Sequence, residues 1–391
     1  MGEWRKCTIA DLGDVVTGKT PSTKAPEFWN GDVHFITPRD IQGLKHITDT
    51  ERKITESGLQ KVKGSILPPR AVCVSCIGNI GYTGMTTLRC VSNQQINSII
   101  VNNDNDPDFV FYLMRGLWPF FKNYEGQSTT LSILNKAQFS KIPVMVPDKP
   151  TQKEIAEILS TLDAKIAANA NINDNLQQQA ATIFRQWFVA NPESEKWPLV
   201  TLDSLTSLVS RGIAPKYTDD STQIVLNQKC IRDHYIDISL GRRHKAKVIN
   251  EKWLQYGDLL INSTGEGTLG RAAQVWFTPE NMTVDSHVTV VRPKNQLLLF
   301  YIGLWGISHE REIESLHTGS TGQTELPRER VKTMELRLPD NDTLTRFNAV
   351  IAPMVSLVIA NQQENMRLAN IRDALLPKLM SGEIDASDID R

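Results

Sequence analysis

The sequence predicts an α+β protein in which two β-rich domains alternate with two long helices, and in which the second half repeats the plan of the first. Three observations predict this fold: a repeat with a period near 190 residues, heptad spacing in two tails, and short apolar runs elsewhere. The predicted β-rich domains are residues 1–148 and 196–340, the central helical region is 149–195, and the C-terminal helical region is 341–391.

The internal repeat is clearest in the tails. Residues 142–148 align with 334–340 at an offset of 192, and the same offset holds for about 40 more residues. Upstream the match is looser, since Gly18 aligns with Gly212 at an offset of 194 and residues 78–81 align with 267–270 at 189. Small insertions in loops explain this drift, so each half consists of a variable unit followed by a similar tail.

The tails are predicted to be long helices, because apolar residues recur at alternating spacings of four and three, which is typical of a coiled-coil seam. Residues 152–189 would span about 57 Å at 1.5 Å per residue. Thr151 is the predicted N-cap, and Glu154 would complete a capping box. The predicted seam positions are Ile155, Leu159, Leu162, Ile166, Asn169, Asn173, Leu176, Ala180, Ile183 and Trp187, then Phe347, Ile351, Met354, Val358, Asn361, Asn365, Leu368, Arg372, Leu375 and Leu379.

Two arrangements of the tails are open at this point. Each tail could form a helical hairpin that stabilises only its own domain. Alternatively the tails pair with each other and hold the two domains a fixed distance apart. Asparagines at matching seam positions favour pairing, because buried Asn sets partner and register at a cost in stability; the matches are Asn169 with Asn361 and Asn173 with Asn365.

The variable units have the short apolar runs and interspersed Gly, Pro, Asn and Ser of β-rich modules. Such modules offer polar loops on a rigid base. The predicted strands are 72–77, 96–101, 258–261 and 284–291, and the predicted helices are 109–118 and 298–307.

Composition limits the function classes. The 43 basic and 44 acidic side chains leave a net charge of −1, so no global excess of charge indicates nucleic acid or a membrane surface. The longest uninterrupted apolar run, residues 297–307, is shorter than the roughly 20 residues of a spanning helix. With no signal-peptide pattern at the start and five scattered cysteines, we expect a soluble cytoplasmic protein with free thiols.

Three motifs resemble catalytic or ligand sites, and none has the context it needs. Residues 13–20 spell a P-loop, but Pro21 follows directly and the second copy lacks the lysine. Residues 265–270 spell a dinucleotide fingerprint, but a strand-like run follows instead of a helix. Cys73 and Cys76 could be half of a zinc site, but no second Cys/His pair lies at suitable spacing. We therefore predict no catalytic, cofactor-binding or metal-binding residue.

Cations, amides and hydroxyls crowd the predicted loops instead. These side chains read base edges or hold phosphates, although any one of them could equally be solvated surface. The predicted DNA-binding residues are Lys19, Thr20, Arg39, Asn79, Gln94, Gln95, Gln127 and Ser128 in the first unit, and Arg211, Lys216, Gln228, Lys229, Arg242, Arg243, Lys245, Arg271, Ser320 and Gln323 in the second.

A family resemblance covers nearly the whole chain. Residues 375–384, Leu-Leu-Pro-Lys-Leu-Met-Ser-Gly-Glu-Ile, resemble the closing signature of type I restriction–modification specificity subunits. Residues 318–323, followed by 336–339, resemble the boundary between a target-recognition domain and a helix in that family. Residues 152–163 resemble the start of its central helix. One departure is the shorter glycine element at 126–128.

The resemblance implies two target-recognition domains joined by two long helices that pack as an antiparallel coiled coil, giving a pseudo-twofold molecule. Each domain would read one half of a bipartite, asymmetric target in double-stranded DNA, and the helices would set the spacer length. Two methyltransferase subunits would dock on the helices and supply S-adenosylmethionine, while restriction subunits would supply ATP- and Mg-dependent translocation. For partner binding we expect Phe184, Trp187, Leu376 and Leu379 to be used.

This chain itself would then be non-catalytic, without a cofactor and without a membrane partner. Two alternatives remain open. A methylation-only system would use the same reader without a restriction subunit. A coiled-coil scaffold that carries two β-rich modules and binds no DNA would also account for the helices and the neutral charge.

Overall fold

The computed structural model describes residues 4–41, 45–126, 132–319 and 324–389. The predicted residues Gln127, Ser128, Ser320 and Gln323 lie outside these ranges. Contacts divide the chain into unit 1, Met1–Ala168 with Glu364–Arg391, and unit 2, Asn169–Gln363. Both division points fall inside the long helices, so each unit contains part of each helix.

Unit 1 contains two sheets and a strand pair. One sheet has the order β2-β10-β7-β8-β4, the other has the order β5-β3-β9-β6, and β1 pairs with β11. The strands are β1 (Arg5–Thr8), β2 (Gly13–Thr17), β3 (Trp29–Ile36), β4 (His46–Ile47), β5 (Arg52–Ile54), β6 (Ile66–Leu67), β7 (Val72–Ser75), β8 (Thr83–Thr86), β9 (Cys90–Ser92), β10 (Ile96–Val101) and β11 (Pro143–Val146). The helices are α1 (Glu56–Lys61), α2 (Pro107–Gly116), α3 (Trp118–Gly126), α4 (Lys136–Ser140) and α5 (Lys149–Phe184).

Unit 2 has the sheets β13-β21-β18-β19 and β17-β14-β20, with the pairs β12-β22 and β15-β16. The strands are β12 (Leu199–Thr201), β13 (Thr206–Arg211), β14 (Ile224–Leu226), β15 (Ile231–Arg232), β16 (Tyr235–Ile236), β17 (Arg242–Arg243), β18 (Leu259–Asn262), β19 (Ala272–Gln274), β20 (Met282–Val284), β21 (Val288–Pro293) and β22 (Glu335–Arg337). The helices are α6 (Leu202–Leu205), α7 (Leu299–Ser308), α8 (Glu310–Ser315), α9 (Arg328–Lys332) and α10 (Asn341–Ser381).

The two units share one topology, which confirms the predicted α+β fold and its internal repeat. The order β2-β10-β7-β8 in unit 1 matches β13-β21-β18-β19 in unit 2, and β5-β3-β9 matches β17-β14-β20. The register matches as well: Phe35 lies opposite Arg52 in unit 1, and Val225 lies opposite Arg242 in unit 2. Both members of the second pair follow the first by 190 residues.

Most predicted elements are present, with one interruption. The apolar runs at 72–77, 96–101 and 258–261 form strands, and those at 109–118 and 298–307 form helices. The run at 284–291 was predicted as one strand and is two, β20 and β21. The chain turns between them because the side chain of Asp285 accepts the His287 N–H at 2.9 Å, an Asx-type bond that replaces strand pairing.

Both long helices begin with the same cap. The side chain of Asp148 accepts the Thr151 N–H at 3.0 Å, and Asp340 accepts the Thr343 N–H at 2.8 Å. These hydrogen bonds lower the pKa of both carboxyl groups. The prediction of Thr151 as the N-cap was therefore wrong: Asp is the better capping residue, and Pro150 is compatible with the first helical turn.

Within unit 1 the two long helices pair. Nη1 of Arg372 lies 2.7 Å from Oδ1 of Asp163, and Asn365 Nδ2 donates to the carbonyl of Ile166 at 3.3 Å. The residue number rises along α5 as it falls along α10, so the two segments run antiparallel.

Within unit 2 the helices pair in the same sense. Asn361 Nδ2 donates to Asn173 Oδ1 at 2.9 Å in a buried position, so two of the predicted seam asparagines meet, although the repeat had matched each of them to a different asparagine. Near the C-terminal end of α5 the most buried positions are Phe184 and Phe188, not the predicted Ile183 and Trp187. The seam shifts because residues Arg185–Val189 form a turn of π-helix, in which more residues fill each turn than in the predicted 3.5-residue pattern.

Helix α10 is long and apolar enough to cross a membrane by length and composition alone, a property that counting uninterrupted apolar residues missed. Core helices of soluble proteins also meet these criteria. Five of its apolar side chains are buried in the core of unit 2: Leu344, Phe347, Ile351, Val355 and Val358.

Candidate nucleic-acid interface

Three loops of unit 1 lie side by side at one end of its larger sheet. The N–H of Gly18, after β2, donates to the carbonyl of Ile96 at 3.1 Å. The N–H of Cys76, after β7, donates to the carbonyl of Gln95 at 2.7 Å. The segment that precedes α4 joins them, since the Leu134 N–H donates to the Cys76 carbonyl at 2.8 Å.

Unit 2 repeats these backbone bonds one for one. Gly212 donates to the carbonyl of Val288 at 3.1 Å, Ser263 donates to that of His287 at 2.8 Å, and Leu326 donates to that of Ser263 at 2.8 Å. The duplication therefore extends to the loops, and each unit presents one such loop cluster.

A glycine is required where the loop after β2 crosses the turn between β9 and β10, and at the equivalent crossing in unit 2. A Cβ on Gly18 would lie 2.1 Å from the carbonyl oxygen of Asn93, and a Cβ on Gly212 would lie 1.9 Å from that of Val284. Neither position has room for a side chain, because the opposing atoms belong to backbone. This close approach is the physical reason for the glycines that the repeat aligned.

In unit 1 the structure brings several predicted residues together. Thr20 Oγ1 donates to Gln94 Oε1 at 2.6 Å, and Asn93 Nδ2 donates to Gln95 Oε1 at 2.9 Å. Lys19, next to Thr20, is exposed. These side chains form a polar surface whose amide groups are held in place by hydrogen bonds.

Asn79 and Arg39 border this surface. Asn79 is exposed in the loop that follows β7. Arg39 lies three residues beyond Ile36, whose carbonyl accepts the Asn93 N–H at 2.9 Å. The exposed Arg39 guanidinium lies 3.7 Å from the carboxylate of Glu51, a weak surface ion pair that leaves it open to another anion.

In unit 2 a hydrogen-bonded group occupies the same place. Thr264 Oγ1 donates to Gln228 Oε1 at 3.1 Å and lies 2.8 Å from His287 Nδ1. Gln228 was predicted, whereas Thr264 and His287 were missed. The repeat could have identified His287, because it follows Gln95 by 192 residues.

Lys229 also has a counterpart in unit 1. It follows β14 as Arg39 follows β3, at an offset of 190, and its side chain is exposed. The carbonyl of Leu226 accepts the Asp285 N–H at 2.9 Å, as Ile36 accepts Asn93. Arg39 and Lys229 therefore occupy one position of the shared fold.

Two predicted arginines of unit 2 are less available. Arg211 forms an ion pair with Glu325 and donates through Nη2 to the carbonyl of Leu326 at 2.9 Å, so its guanidinium bridges two segments of its own unit. Arg271 is half-buried, and its carbonyl accepts the Asn262 N–H at 2.9 Å. The Arg211 side chain therefore helps to build the loop cluster, whereas Arg271 contributes to it only through its backbone.

The remaining predicted cations of unit 2 lie along an edge of the smaller sheet. Lys216, Arg242, Arg243 and Lys245 are all exposed. The Lys245 N–H donates to the carbonyl of Lys216 at 2.9 Å, which joins this edge to the loop after Gly212. The Arg242 guanidinium stacks on the ring of Tyr217 at 3.6 Å.

The residues expected to bind partner subunits lie mainly in the cores. Phe184 is 1% exposed, Leu379 is 0% exposed and Leu376 is 7% exposed, while Trp187 is half-buried. Phe184 packs on Phe188, with ring centroids 5.2 Å apart. The structure thus assigns Phe184 and Leu379 to internal packing and corrects the expectation that they face a partner, since apolar seam residues are used first by the chain's own fold.

The three ligand-like motifs differ in structure from the sites that they resemble. Residues 13–17 are strand β2 rather than a phosphate loop, and 265–270 form a glycine turn that leads into strand β19. Burial raises the pKa of Cys73 and of Cys76 to about 12, which disfavours the thiolate that a metal would need. In the described part of the chain, no group of three or more His, Cys, Asp or Glu residues is placed to hold a metal ion.

The geometry therefore defines a protein with two copies of one recognition module, each presenting a polar and cationic loop cluster and each containing a pair of antiparallel helix segments. Residues 1–178 match the family described as the type I restriction modification DNA specificity domain. Over these residues, which are just under half of its length, the chain is similar to the specificity subunits of type I restriction–modification systems.

Curated relatives agree with this assignment. The specificity subunit of the type I restriction enzyme MjaIX from Methanocaldococcus jannaschii is 26% identical over 99% of this chain and 95% of that protein. The specificity subunit of the HindI enzyme from Haemophilus influenzae is 32% identical over 40% of this chain and 35% of that protein. The crystal structure of a type I S subunit from M. genitalium, at 14% identity, covers 97% of this chain and 96% of that one with a TM-score of 0.57, which supports the fold.

Proposed function

We propose that each recognition domain of this specificity subunit reads one half of a bipartite, asymmetric target in double-stranded DNA. The observation that carries the proposal is the exact repetition of the loop cluster around Gly18 and Gly212, with different side chains at equivalent positions. Gln95 in unit 1 corresponds to His287 in unit 2. One scaffold with two sets of base-reading side chains suits two different half-sites.

The loop chemistry supports direct contact with DNA. Amide groups such as Gln94 can pair with adenine, and cations such as Lys19 and Lys229 can reach guanine or phosphate. Several of these side chains are already fixed by hydrogen bonds, as Gln94 is by Thr20 at 2.6 Å. A side chain held in this way loses less conformational entropy on binding.

A domain exchange tests this proposal. Replacing residues 1–148 with the equivalent unit of a relative should change one half of the methylated sequence and leave the other half as it is. Single-molecule methylation mapping in a host that also expresses the neighbouring methyltransferase gives the readout. If the exchange changes both halves of the methylated sequence, the assignment of one half to each domain is contradicted.

We further propose that the paired helices set the length of the unread spacer. Helix α5 is continuous over Lys149–Phe184, and a rigid rod of this kind suits duplex DNA, where half-sites on one face lie about 34 Å apart per turn. Inserting four residues, about one helical turn, after Asn169 should lengthen the spacer or abolish methylation. An unchanged spacer in the methylated sequence would refute this role of the helices.

The chemistry is assigned to other subunits in this proposal. Methyltransferase subunits would bring S-adenosylmethionine, and restriction subunits would bring ATP and Mg, so this chain would act in the cytoplasm as a non-catalytic reader without its own cofactor. Base flipping for methylation would then use a pocket of the methyltransferase. A scaffold that binds no DNA predicts no mobility shift with duplex DNA, which the same preparation can measure.

A further inference from the structure

One edge of unit 2 carries a row of cations on a segment in which exposed and buried side chains alternate. From Arg243 to Val248, exposed and buried residues alternate. His244, Ala246 and Val248 are 0%, 9% and 9% exposed and anchor the segment in the unit. The intervening side chains therefore all point to solvent; we name Arg243, Lys245 and Lys247 the cationic edge.

The cations of this edge are not neutralised by carboxylates. No ion pair joins them to any residue within the described ranges. Arg243 Nη1 donates at 3.3 Å to the backbone carbonyl of Asp219, not to its carboxylate. Arg242, the neighbour of Arg243, is held against the Tyr217 ring at 3.6 Å and adds a further fixed positive charge.

The equivalent edge of unit 1 has a different charge pattern. Strand β5 occupies the place of β17, and residues 49–57 contain two cations and three acids, whereas 239–247 contain four cations and no acid. Lys53 corresponds to Arg243 and forms an ion pair with Asp49 at 2.8 Å. Thr55 and Ser57 stand where unit 2 has Lys245 and Lys247.

We propose that the cationic edge of unit 2 binds the phosphate backbone of duplex DNA next to the half-site, and that unit 1 has no counterpart. The inference rests on the proposed function, because it places DNA on the adjoining loop cluster. Alternate residues of an extended chain repeat about every 6.8 Å, and each DNA strand carries a phosphate every 3.4 Å along the axis. Each of the three cations can therefore meet a separate phosphate.

Phosphates suit this edge better than bases do. Ammonium groups on exposed, solvated stems act as point charges and need no fixed donor geometry. Base readers of unit 2 lie instead in the loop cluster, where Gln228, Thr264 and His287 hold one another. The cationic edge therefore contributes affinity that is independent of sequence, and the two domains contribute unequally to it.

The test uses the full chain with its methyltransferase subunits and the triple variant R243Q/K245Q/K247Q. Binding to a duplex with the methylated target and to a scrambled duplex is measured from 50 to 200 mM KCl. Losing three phosphate contacts should make the slope of log affinity against log salt less steep by about 2.7. The ratio of wild-type affinity to variant affinity should therefore fall about 40-fold between 50 and 200 mM KCl.

The expected loss is equal for both duplexes, and the methylated sequence stays the same. The control K53Q/K61Q/K63Q removes three charges from strand β5 and the segment after it in unit 1, where Lys53 is half-buried and Lys61 and Lys63 are exposed, and should change the slope by much less. Circular dichroism and size-exclusion chromatography verify folding and subunit assembly.

Three results would overturn the inference: an unchanged slope, a loss confined to the target duplex, or a failure of the variant to assemble with its partners. The last outcome would mean that the edge binds an acidic protein surface. If the wild-type complex binds neither duplex, the proposed function itself fails, which separates the two tests.

Discussion

The two recognition domains are attached to the paired helices by different chemistry. In unit 1 a cluster of ionised groups lies between α2 and the helices: Asp163 accepts from Arg372 and from the Tyr112 hydroxyl, each at 2.7 Å, and Arg115 lies 3.6 Å from the same carboxylate. Asp163 and Arg372 are only 14% and 11% exposed. Burial and the nearby Asp163 charge raise the pKa of Tyr112, so its hydroxyl stays protonated and donates.

In unit 2 the equivalent positions are apolar. An offset of 192 places Val355 where unit 1 has Asp163, Leu304 for Tyr112, Ile307 for Arg115 and, in the opposite direction, Ala180 for Arg372. Val355, Leu304 and Ala180 are 1%, 2% and 0% exposed.

Aromatic rings complete the apolar attachment of unit 2. The ring centroids of Phe188 and Phe347 lie 4.7 Å apart, and Phe188 also meets Tyr301 at 4.9 Å.

The same fold thus attaches a domain to its helices either through buried ionised groups or through apolar packing. Apolar packing stabilises without geometric demands, whereas a buried ion pair contributes little net stability but is costly when one partner is missing. The recognition domain of unit 1 is therefore disfavoured on the apolar helix segment that unit 2 uses, because the buried charge of Arg115 would have no partner there.

The largest expected effect comes from breaking the ionic cluster. Asp163→Ala leaves Arg372 and Arg115 with only the Asp373 carboxylate, at 2.8 and 3.8 Å, and removes the acceptor of the Tyr112 hydroxyl, so unit 1 should lose about 2–3 kcal/mol of unfolding free energy. Urea denaturation monitored by circular dichroism measures the loss. The control is the quadruple variant Y112L/R115I/D163V/R372A, which carries the residues of unit 2.

The quadruple variant should be close to wild type in stability or above it, because packed apolar groups replace a buried ion cluster at little cost. If it is as unstable as Asp163→Ala, the two attachments are not interchangeable and the comparison fails.

A smaller effect is expected from giving unit 2 a residue of unit 1. Phe184→Leu introduces the residue that stands at the equivalent position, Leu376. The variant keeps apolar burial but loses the ring contacts with Phe188 and Phe347, at 5.2 and 6.3 Å, so the cost should be below about 1.5 kcal/mol. The same denaturation measurement applies, with Leu376→Phe as the reciprocal variant; a loss above 3 kcal/mol would show that the aromatic cluster is essential.

Local patterns predicted much of this fold. The heptad spacing and the offset of 192 predicted both helices, because periodicity is encoded in neighbouring residues, but they did not predict which seam asparagines meet, since Asn173 contacts Asn361. Patterns of this kind do not report tertiary partners. The pairing of Arg211 with Glu325 depends on a segment over 100 residues away, so its use in building the loop cluster was not visible in the sequence.

The candidate site was predicted by residue type and only partly by place. Lys19, Thr20, Gln94 and Gln95 meet because β2 and β10 are neighbours in the sheet, which composition does not encode. Phe184 and Leu379 were expected at a partner surface and are buried. The sequence pattern is the same whether an apolar helix position is covered by the chain itself or by a partner.

The discontinuity of unit 1 has a consequence for synthesis on the ribosome. Unit 2 is one uninterrupted stretch, Asn169–Gln363, whereas the core of unit 1 includes Leu376 and Leu379 from near the end of the chain. At about 5–20 residues per second, the part of unit 1 that emerges first waits on the order of 10–40 s for those residues. During that interval its apolar helix face is uncovered, so chaperone dependence should be concentrated in the half that is made first.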